Sequence, residues 1–382
     1  MDLNNLKLIR NEIDNIDSEI LKLFIKRMAL TKNVADYKRK NNMPIYQKGR
    51  ENEVLDRISS LSPKEYEKGA RLLFANIMDI SKSLQNDILG DAKSFLEQAR
   101  LDTSPSVACQ GTKGSYSQAA YEALFESKGS LQFCETFEEV FKAVDAGKVD
   151  YGILPIENNT AGDVAQTYEL LTKYNIYISK AVAIQINHVL ASVEDAEFSD
   201  IKNVYSHEQA LRQCNTFFSE NPQLSPKVYK NTAIAAKMVA ESKDKTISAI
   251  CSAYSAKLYG LKILKTNISN TENNFTRFIC ISKQLEIEEN ADTISVAIST
   301  RNEPASLYRL LTKFAVSGLN LTKIENKPLP ATVKKEHEFD VLFYLDFTGS
   351  VKDSSVAKLI SSLESEMKYF KFLGNYKSII KR

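Results

Sequence analysis

LNNLKLIRNEIDNIDSEILKLFIKRMALTKNVADYKRK, residues 3–40, contains neither Gly nor Pro. Within it Ile9, Ile13, Ile16, Ile20 and Leu23 recur at spacings of four and three, which keeps one face of a helix apolar. The stretch predicts a single long amphipathic helix. Pro44 interrupts it, and a helical pattern resumes from about Gln47 to Ser60. Ser62-Pro63 then predicts a third helix, with Ser62 as its cap and Glu65 three residues on. Leu73, Ile77, Ile80, Leu84 and Ile88 give that helix an apolar face of its own. Helices so unequal in length enclose a core poorly, so this segment is expected to dimerise.

Helical geometry sorts the cations of the long helix. Arg27 and Lys38 are eleven residues apart, so they share a face with Cα atoms about 16 Å apart. Two long side chains leaning together there could clamp a small dianion. Arg10 lies about 25 Å from Arg27 along the axis, too far to reach the same ligand. If all three touch one ligand, Arg10 comes from a second chain. Arg50 and Glu51 fall on the second helix, while Ser81 and Gln85, four apart, are neighbours on one face of the third.

Beyond a connector at 91–104 the pattern changes. SVACQ, YGILPI, YISKAVAIQI, NVYSH, TISAICS and RFICIS read as strands, with helices such as SQAAYEALFES and NTAIAAKMVAES between them. An α/β domain over 105–284 follows. In CQGTKGSYSQAA, glycines precede a helix capped by Ser115 or Ser117, whose free amides could receive an anion. The third glycine of a dinucleotide fingerprint is missing, so no nucleotide cofactor is expected. LPIENN ends a strand with Glu157 and Asn158. Ser206 and Gln209 stand at capping-box spacing, a structural role that competes with ligand contact, and His207 between them reads as a hydrogen-bonded loop residue. Thr276, Arg277 and Phe278 lead into the RFICIS strand. From 292 to 382 the order is strand, helix, strand, strand, helix, strand, a ferredoxin-like α+β sandwich.

Composition narrows the function classes. The 382 residues suit two or three domains. Net charge is only +2, from 50 basic and 48 acidic residues, so no global field recommends nucleic acid or an anionic membrane. Five scattered cysteines and three histidines lack metal-ligand spacing, so neither a structural metal nor any other cofactor is expected. Buried thiols in a reducing, cytoplasmic setting fit that usage, as does an N-terminus without a signal-peptide pattern.

RNEIDNIDSEIL, KRMALTKNVADYK, NMPIYQKGRE and DISKSLQ together resemble the all-helical chorismate mutases over residues 1–90. The resemblance implies that Arg10 (from a partner chain) and Arg27 bind carboxylates, Lys38 and Gln85 meet the ether oxygen, and Glu51 meets the ring hydroxyl, with Arg50 and Ser81 beside them. Gln47 stands where many members carry Asp. Such a reaction is an intramolecular rearrangement of chorismate, so its catalyst holds a conformer and stabilises developing charge. GTKGSYSQAA, LPIENN, YSHEQA and NNFTRFICIS, in that order, resemble the prephenate dehydratases, which implies a two-lobed fold like that of periplasmic binding proteins. It implies that Thr276 donates to the departing hydroxyl of prephenate. On the same resemblance Glu157 would relay a proton or fix neighbouring amides, and Arg277 would pair a carboxylate or lock its loop. Asn158 and Ser206 are carried over as substrate contacts, and Phe278 as wall. The last segment resembles ACT-type regulatory domains, which bind amino acids. Its phenylalanine motifs would fall at Ala305, Ser306 and Leu307 and at Glu325, Asn326, Lys327 and Pro328, both altered from the family pattern. The whole is similar to a bifunctional mutase/dehydratase of phenylalanine biosynthesis, working as a homodimer or higher homo-oligomer.

Overall fold

The computed structural model describes residues 3–41, 43, 48–89, 104–300, 302–329 and 341–381. The long helix expected from the sequence is α1 (Leu3–Lys40), followed by α2 (Lys48–Leu61) and α3 (Glu67–Leu89). Position 47 lies outside the described residues. Ser62 does not cap α3. Its hydroxyl donates back to the Ile58 carbonyl at 2.8 Å, closing α2, and a turn through Pro63 and Tyr66 intervenes before α3. Serine competes for nearby carbonyls in this way at helix ends.

The α/β region then runs β1 (Ser106–Gln110), α4 (Tyr116–Phe125), β2 (Ser130–Cys134), α5 (Phe137–Asp145), β3 (Tyr151–Asn158), β4 (Gly162–Asp163), α6 (Ala165–Lys173) and β5 (Tyr177–Gln185). A second series follows: β6 (Val189–Ser192), β7 (Asn203–Ser206), α7 (Glu208–Arg212), α8 (Asn215–Glu220), β8 (Ser225–Val228), α9 (Thr232–Ser242), β9 (Ile247–Cys251), α10 (Ala253–Leu258) and β10 (Lys262–Lys265). The chain returns to the first series with β11 (Phe275–Ser282). These strands form two sheets, hence two lobes joined by the 185–189 and 265–275 crossings. In the first sheet the path is β5-β11-β3-β1-β2; in the second it is β10-β6-β9-β7-β8.

The inner strands of both sheets bury nearly continuous apolar runs, as sheets covered by helices must. Val107, Cys109, Ile153, Val182 and Cys280 pack with Ala120 and Tyr121 of α4 in the first lobe. Ala235, Ala236 and Val239 of α9 cover Ala249 and Cys251 in the second. All five cysteines are free and buried. Burial pushes the thiols of Cys109, Cys214, Cys251 and Cys280 up to about 12, so they pack as small apolar groups.

The remaining elements are β12 (Thr293–Ser299), α11 (Ser306–Val316), β13 (Leu321–Pro328), β14 (Val341–Thr348), α12 (Ser354–Glu366), β15 (Tyr369–Tyr376) and β16 (Ser378–Lys381). A four-stranded sheet runs β13-β14-β12-β15, and Phe314 of α11 meets Phe347 of β14 edge to face at 5.0 Å. The terminal strand β16 was not foreseen: it leaves this sheet and pairs in parallel with β5, extending the first-lobe sheet. The described residues fall into two compact units, one within Met1–Phe95, Ile298–Asn326 and Glu336–Lys371, the other within Leu96–Ala297, Lys327–Lys335 and Phe372–Arg382. In the first, α3 packs against α1 and α2 and also against α11 and α12. Among the described residues, no helix is long and apolar enough to cross a membrane.

Candidate active sites

Between the three N-terminal helices lies a cavity of about 310 Å³, lined by Arg27, Lys38, Arg50, Glu51, Ser81 and Gln85 among others. Every one of those was singled out from the sequence. The third helix fixes the cations of the first: Arg27 Nη1 donates to Ser81 Oγ at 2.5 Å, and Lys38 Nζ donates to Gln85 Oε1 at 3.1 Å. Gln85 in turn donates to the Ser81 carbonyl one turn back, at 3.2 Å, which pins its amide. Burial lowers the pKa of Arg27. Burial also lowers that of Lys38; the Glu51 carboxylate opposes the shift and the Lys82 ammonium adds to it. Arg50 lines the same space while pairing with Glu53 at 2.9 Å on the exposed side. Arg10 is exposed and outside the cavity, as its distance along α1 requires.

Lys82 is the residue the sequence reading passed over here. Its ammonium sits 3.2 Å from Glu51 Oε1 and 2.7 Å from Asp79 Oδ1. A lysine in a helix interior reads as a solvated residue, and only packing reveals it as buried.

The second site lies between the two α/β lobes, a cavity of about 190 Å³. The first lobe and its edge supply Tyr116, Asn158, Thr276 and Phe278; His188 stands at the crossing; His207, Gln209, Gln213, Asn231 and Thr232 come from the second lobe. Alternation along β11 explains the selection. Thr276 and Phe278 project to one face and Arg277 to the other. A bulge on the β3 side between Arg277 and Phe278 adjusts the local aim, a common device beside functional sites.

Asn158 organises the polar wall. Its Nδ2 donates to Asn274 Oδ1 at 2.8 Å, to Thr276 Oγ1 at 2.9 Å and to the Phe275 carbonyl at 3.1 Å. Its Oδ1 accepts from the Thr160 hydroxyl and amide and from the Ala161 amide, at 2.7, 3.1 and 2.8 Å. Because Thr276 Oγ1 accepts from an amide, its own proton is directed elsewhere. His188, 2% exposed, has Nε2 at 3.1 Å from Gln213 Oε1 and Nδ1 at 3.4 Å from the Tyr116 hydroxyl. Burial lowers its pKa, with the Gln213 contact opposing, which favours the neutral imidazole. Tyr116, His188 and Gln213 were not found from sequence, because their signal is solely their convergence from distant segments.

Three expected substrate contacts lie elsewhere. Glu157 and Arg277 face each other across β3 and β11, 2.7 Å apart as an ion pair, and neither lines the cavity. Ser206, fully buried, donates to the Ile250 carbonyl at 2.6 Å behind the wall. It does not form the expected capping box either; His207 caps α7 and accepts from the Gln209 amide. Of the two serines offered as caps for α4, Ser115 serves, accepting from the Gln118 amide. The GTKG turn is likewise spent on packing: Gly111 and Gly114 adopt φ of 123° and 90°, and the Gly114 carbonyl and amide are taken by Ser255 and Gln118.

The regulatory candidates also have places. Ala305, before α11, adopts a left-handed backbone with φ of 64°, while Ser306 and Leu307 begin the helix. Glu325, Asn326, Lys327 and Pro328 end β13, and Lys327 Nζ lies 3.3 Å from Asp163 Oδ2 and 5.4 Å from the centre of the Tyr168 ring.

A cation-lined cavity among helices, and a second between two lobes walled by amides and hydroxyls, define an enzyme with two separate sites. The chain matches the family described as chorismate mutase type II over residues 9–86 and that described as prephenate dehydratase over 107–286. A bifunctional chorismate mutase/prephenate dehydratase of Buchnera aphidicola (subsp. Acyrthosiphon pisum) is 33% identical across 98% of this chain and 97% of its own length. Among solved structures, a prephenate dehydratase from Arthrobacter aurescens in complex with L-Phe is 27% identical, with a TM-score of 0.64 over 71% of this chain and 89% of that one. A protein described as a novel type of quorum quenching acylase is also 27% identical, with a TM-score of 0.63 over 72% of this chain and 98% of that one. The α/β fold alone therefore does not decide the chemistry. The chain belongs to the bifunctional chorismate mutase/prephenate dehydratases, enzymes of phenylalanine biosynthesis, and both activities are assigned to it.

Proposed function

We propose that chorismate binds in the helical cavity with Arg27 and a partner chain's Arg10 on its two carboxylates, Lys38 and Gln85 at the breaking ether oxygen, and Glu51 at the ring hydroxyl. The pericyclic step needs no nucleophile, so these groups act by holding the compact conformer and stabilising charge that grows on the ether oxygen. The contacts of Arg27 with Ser81 and of Lys38 with Gln85 support this, because they preorganise two cations before substrate arrives. Support for the dimer comes from α1, where Ile13, Ile16, Ile20 and Leu23 are 50%, 56%, 53% and 67% exposed. A second copy of α1 laid against that face would remove it from water and deliver Arg10.

Prephenate then enters the cavity between the lobes, which we read as a two-lobed arrangement like that of periplasmic binding proteins. Thr276 donates to the leaving hydroxyl as carbon dioxide departs and the ring becomes aromatic. The observation that carries this is the amide of Asn158 on Thr276 Oγ1, which leaves the hydroxyl proton for the substrate. Glu157 and Arg277 act on this reading as the lock that holds β3 to β11. The 292–382 segment works as an ACT-type sensor in which phenylalanine meets Ala305, Ser306, Leu307 and the Glu325–Pro328 end of β13. The L-Phe carried by the Arthrobacter aurescens relative supports that ligand. Buried free thiols fit a cytoplasmic setting. Supplying chorismate and following both prephenate and phenylpyruvate, with and without phenylalanine, tests the scheme. Prephenate that accumulates without phenylpyruvate would refute the dehydratase half.

A further inference from the structure

Glu51 is held by more than the mutase helices. On one side is Lys82, described above. On the other is Arg309, carried by α11 of the C-terminal segment. Its Nε lies 3.1 Å from Asp79 Oδ2, and its Nη2 lies 3.2 Å from Asp79 Oδ1 and 3.3 Å from Glu51 Oε2. The guanidinium thus forks onto both oxygens of Asp79 and spans to Glu51, a geometry that lysine cannot reproduce. Two acids and two bases form one cluster. The side chains of Asp79 and Lys82 are 2% and 6% exposed, that of Glu51 15%.

The balance of charge gives Arg309 a part in the cluster. Burial alone pushes the Asp79 carboxyl up, but Lys82 and Arg309 outweigh it and hold the group below its usual range. Burial would lower Lys82, and Asp79 with Glu51 more than reverses that. Without Arg309, Lys82 would be left to bridge Asp79 and Glu51, with Lys38 acting on Glu51 only through its field. Lys82 would be drawn to the more buried Asp79, and Glu51 would lose the two-sided restraint that fixes its rotamer.

We propose that Arg309 is a positioning residue of the mutase site: acting with Asp79 and Lys82, it holds Glu51 in the orientation that chorismate requires. Mutase turnover then depends on where α11 sits, although α11 belongs to a segment with no part in the rearrangement. The proposal rests on the reading of Glu51 as a substrate contact.

The test uses the full chain. Arg309→Gln is expected to lower mutase kcat/KM about 10- to 100-fold, the scale of a misplaced contact, with dehydratase turnover unchanged. Arg309→Lys, which keeps the charge without the fork, should recover part of the loss. Glu51→Gln alone and with Arg309→Gln completes a cycle. If Arg309 works through Glu51, the double variant is no slower than Glu51→Gln, whereas independent effects multiply. A merely structural role for Arg309 would give multiplying losses, and that outcome overturns the proposal. So does wild-type mutase activity in Arg309→Gln when Glu51→Gln is impaired. Should Glu51→Gln itself retain full activity, the reading of Glu51 falls and the proposal with it, a result distinct from the other two. If Arg309→Gln does not fold, the same cycle run with Arg309→Lys decides between non-additive and multiplying losses.

Discussion

The mutase cavity is built from full charges on long side chains, with Arg27 held against Ser81 and Lys38 against Gln85 of the third helix. The dehydratase cavity is built from neutral amides, hydroxyls and two histidine rings, with Asn158 saturated by six contacts and the Glu157–Arg277 ion pair turned away. The contrast follows the chemistry. Rearrangement of a flexible dianion needs strong fields to fold the substrate, whereas dehydration toward an aromatic ring needs one well-aimed proton. As proposed above, the first site takes Arg10 from a second chain across the exposed face of α1, whereas the second is lined from one chain.

The comparison would break most visibly at Thr276. Thr276→Ala should lower dehydratase kcat about 10²- to 10³-fold, the range for losing one oriented donor, with KM for prephenate and mutase rate little changed. Thr276→Ser should keep most turnover and Thr276→Val should not; an active valine variant would transfer the proton to another group.

Sharing between chains is checked by complementation. Arg10→Ala and Lys38→Ala, each inactive as a mutase and active as a dehydratase, should regain about one quarter of wild-type mutase activity after random exchange, since half of the dimers then hold one intact site. No recovery after verified exchange would place Arg10 outside the site.

A subtler contrast lies in pH. Burial lowers the Lys38 ammonium below the ordinary lysine value of 10.5, so it loses its proton, and the mutase its cation, at a lower pH than a free lysine would. Mutase kcat should therefore fall on an alkaline limb starting below that value, and the dehydratase should not share the limb. Lys38→Arg, if active, should move it upward.

The smallest effect is expected at Ala305. Its left-handed backbone costs an alanine about 1 kcal/mol relative to glycine, so Ala305→Gly should raise stability by about that amount in a denaturant titration. An unchanged or lowered midpoint would contradict strain at this position.

Much of this was legible because period and charge survive without three-dimensional context. The spacing of Ile9 to Leu23 fixed α1, and Arg27, Lys38, Ser81 and Gln85 could be placed on faces by counting. The dehydratase wall was legible only in part. Thr276 and Asn158 sit in recognisable motifs, but His188 of the 185–189 crossing and Gln213 at the end of α7 meet with no periodic signature to announce it. Ser206 misled because a capping-box spacing is also the spacing of a buried hydroxyl at a strand end, and the Ile250 carbonyl that decides between them is on another strand. Strands as short as β8 and β10, with exposed polar residues, fall below what alternation can reveal.

The pairing of β16 with β5 sets a condition on how the protein is made. Synthesis proceeds from the N-terminus, so β5 emerges early, and the strand that covers its edge emerges after all the other elements described. Until then the nascent first-lobe sheet carries an open edge along YISKAVAIQ, and an unpaired strand edge can recruit foreign strands. Sealing of that edge thus waits on the last of the elements described, and loss of β16 would reopen it in an otherwise finished molecule.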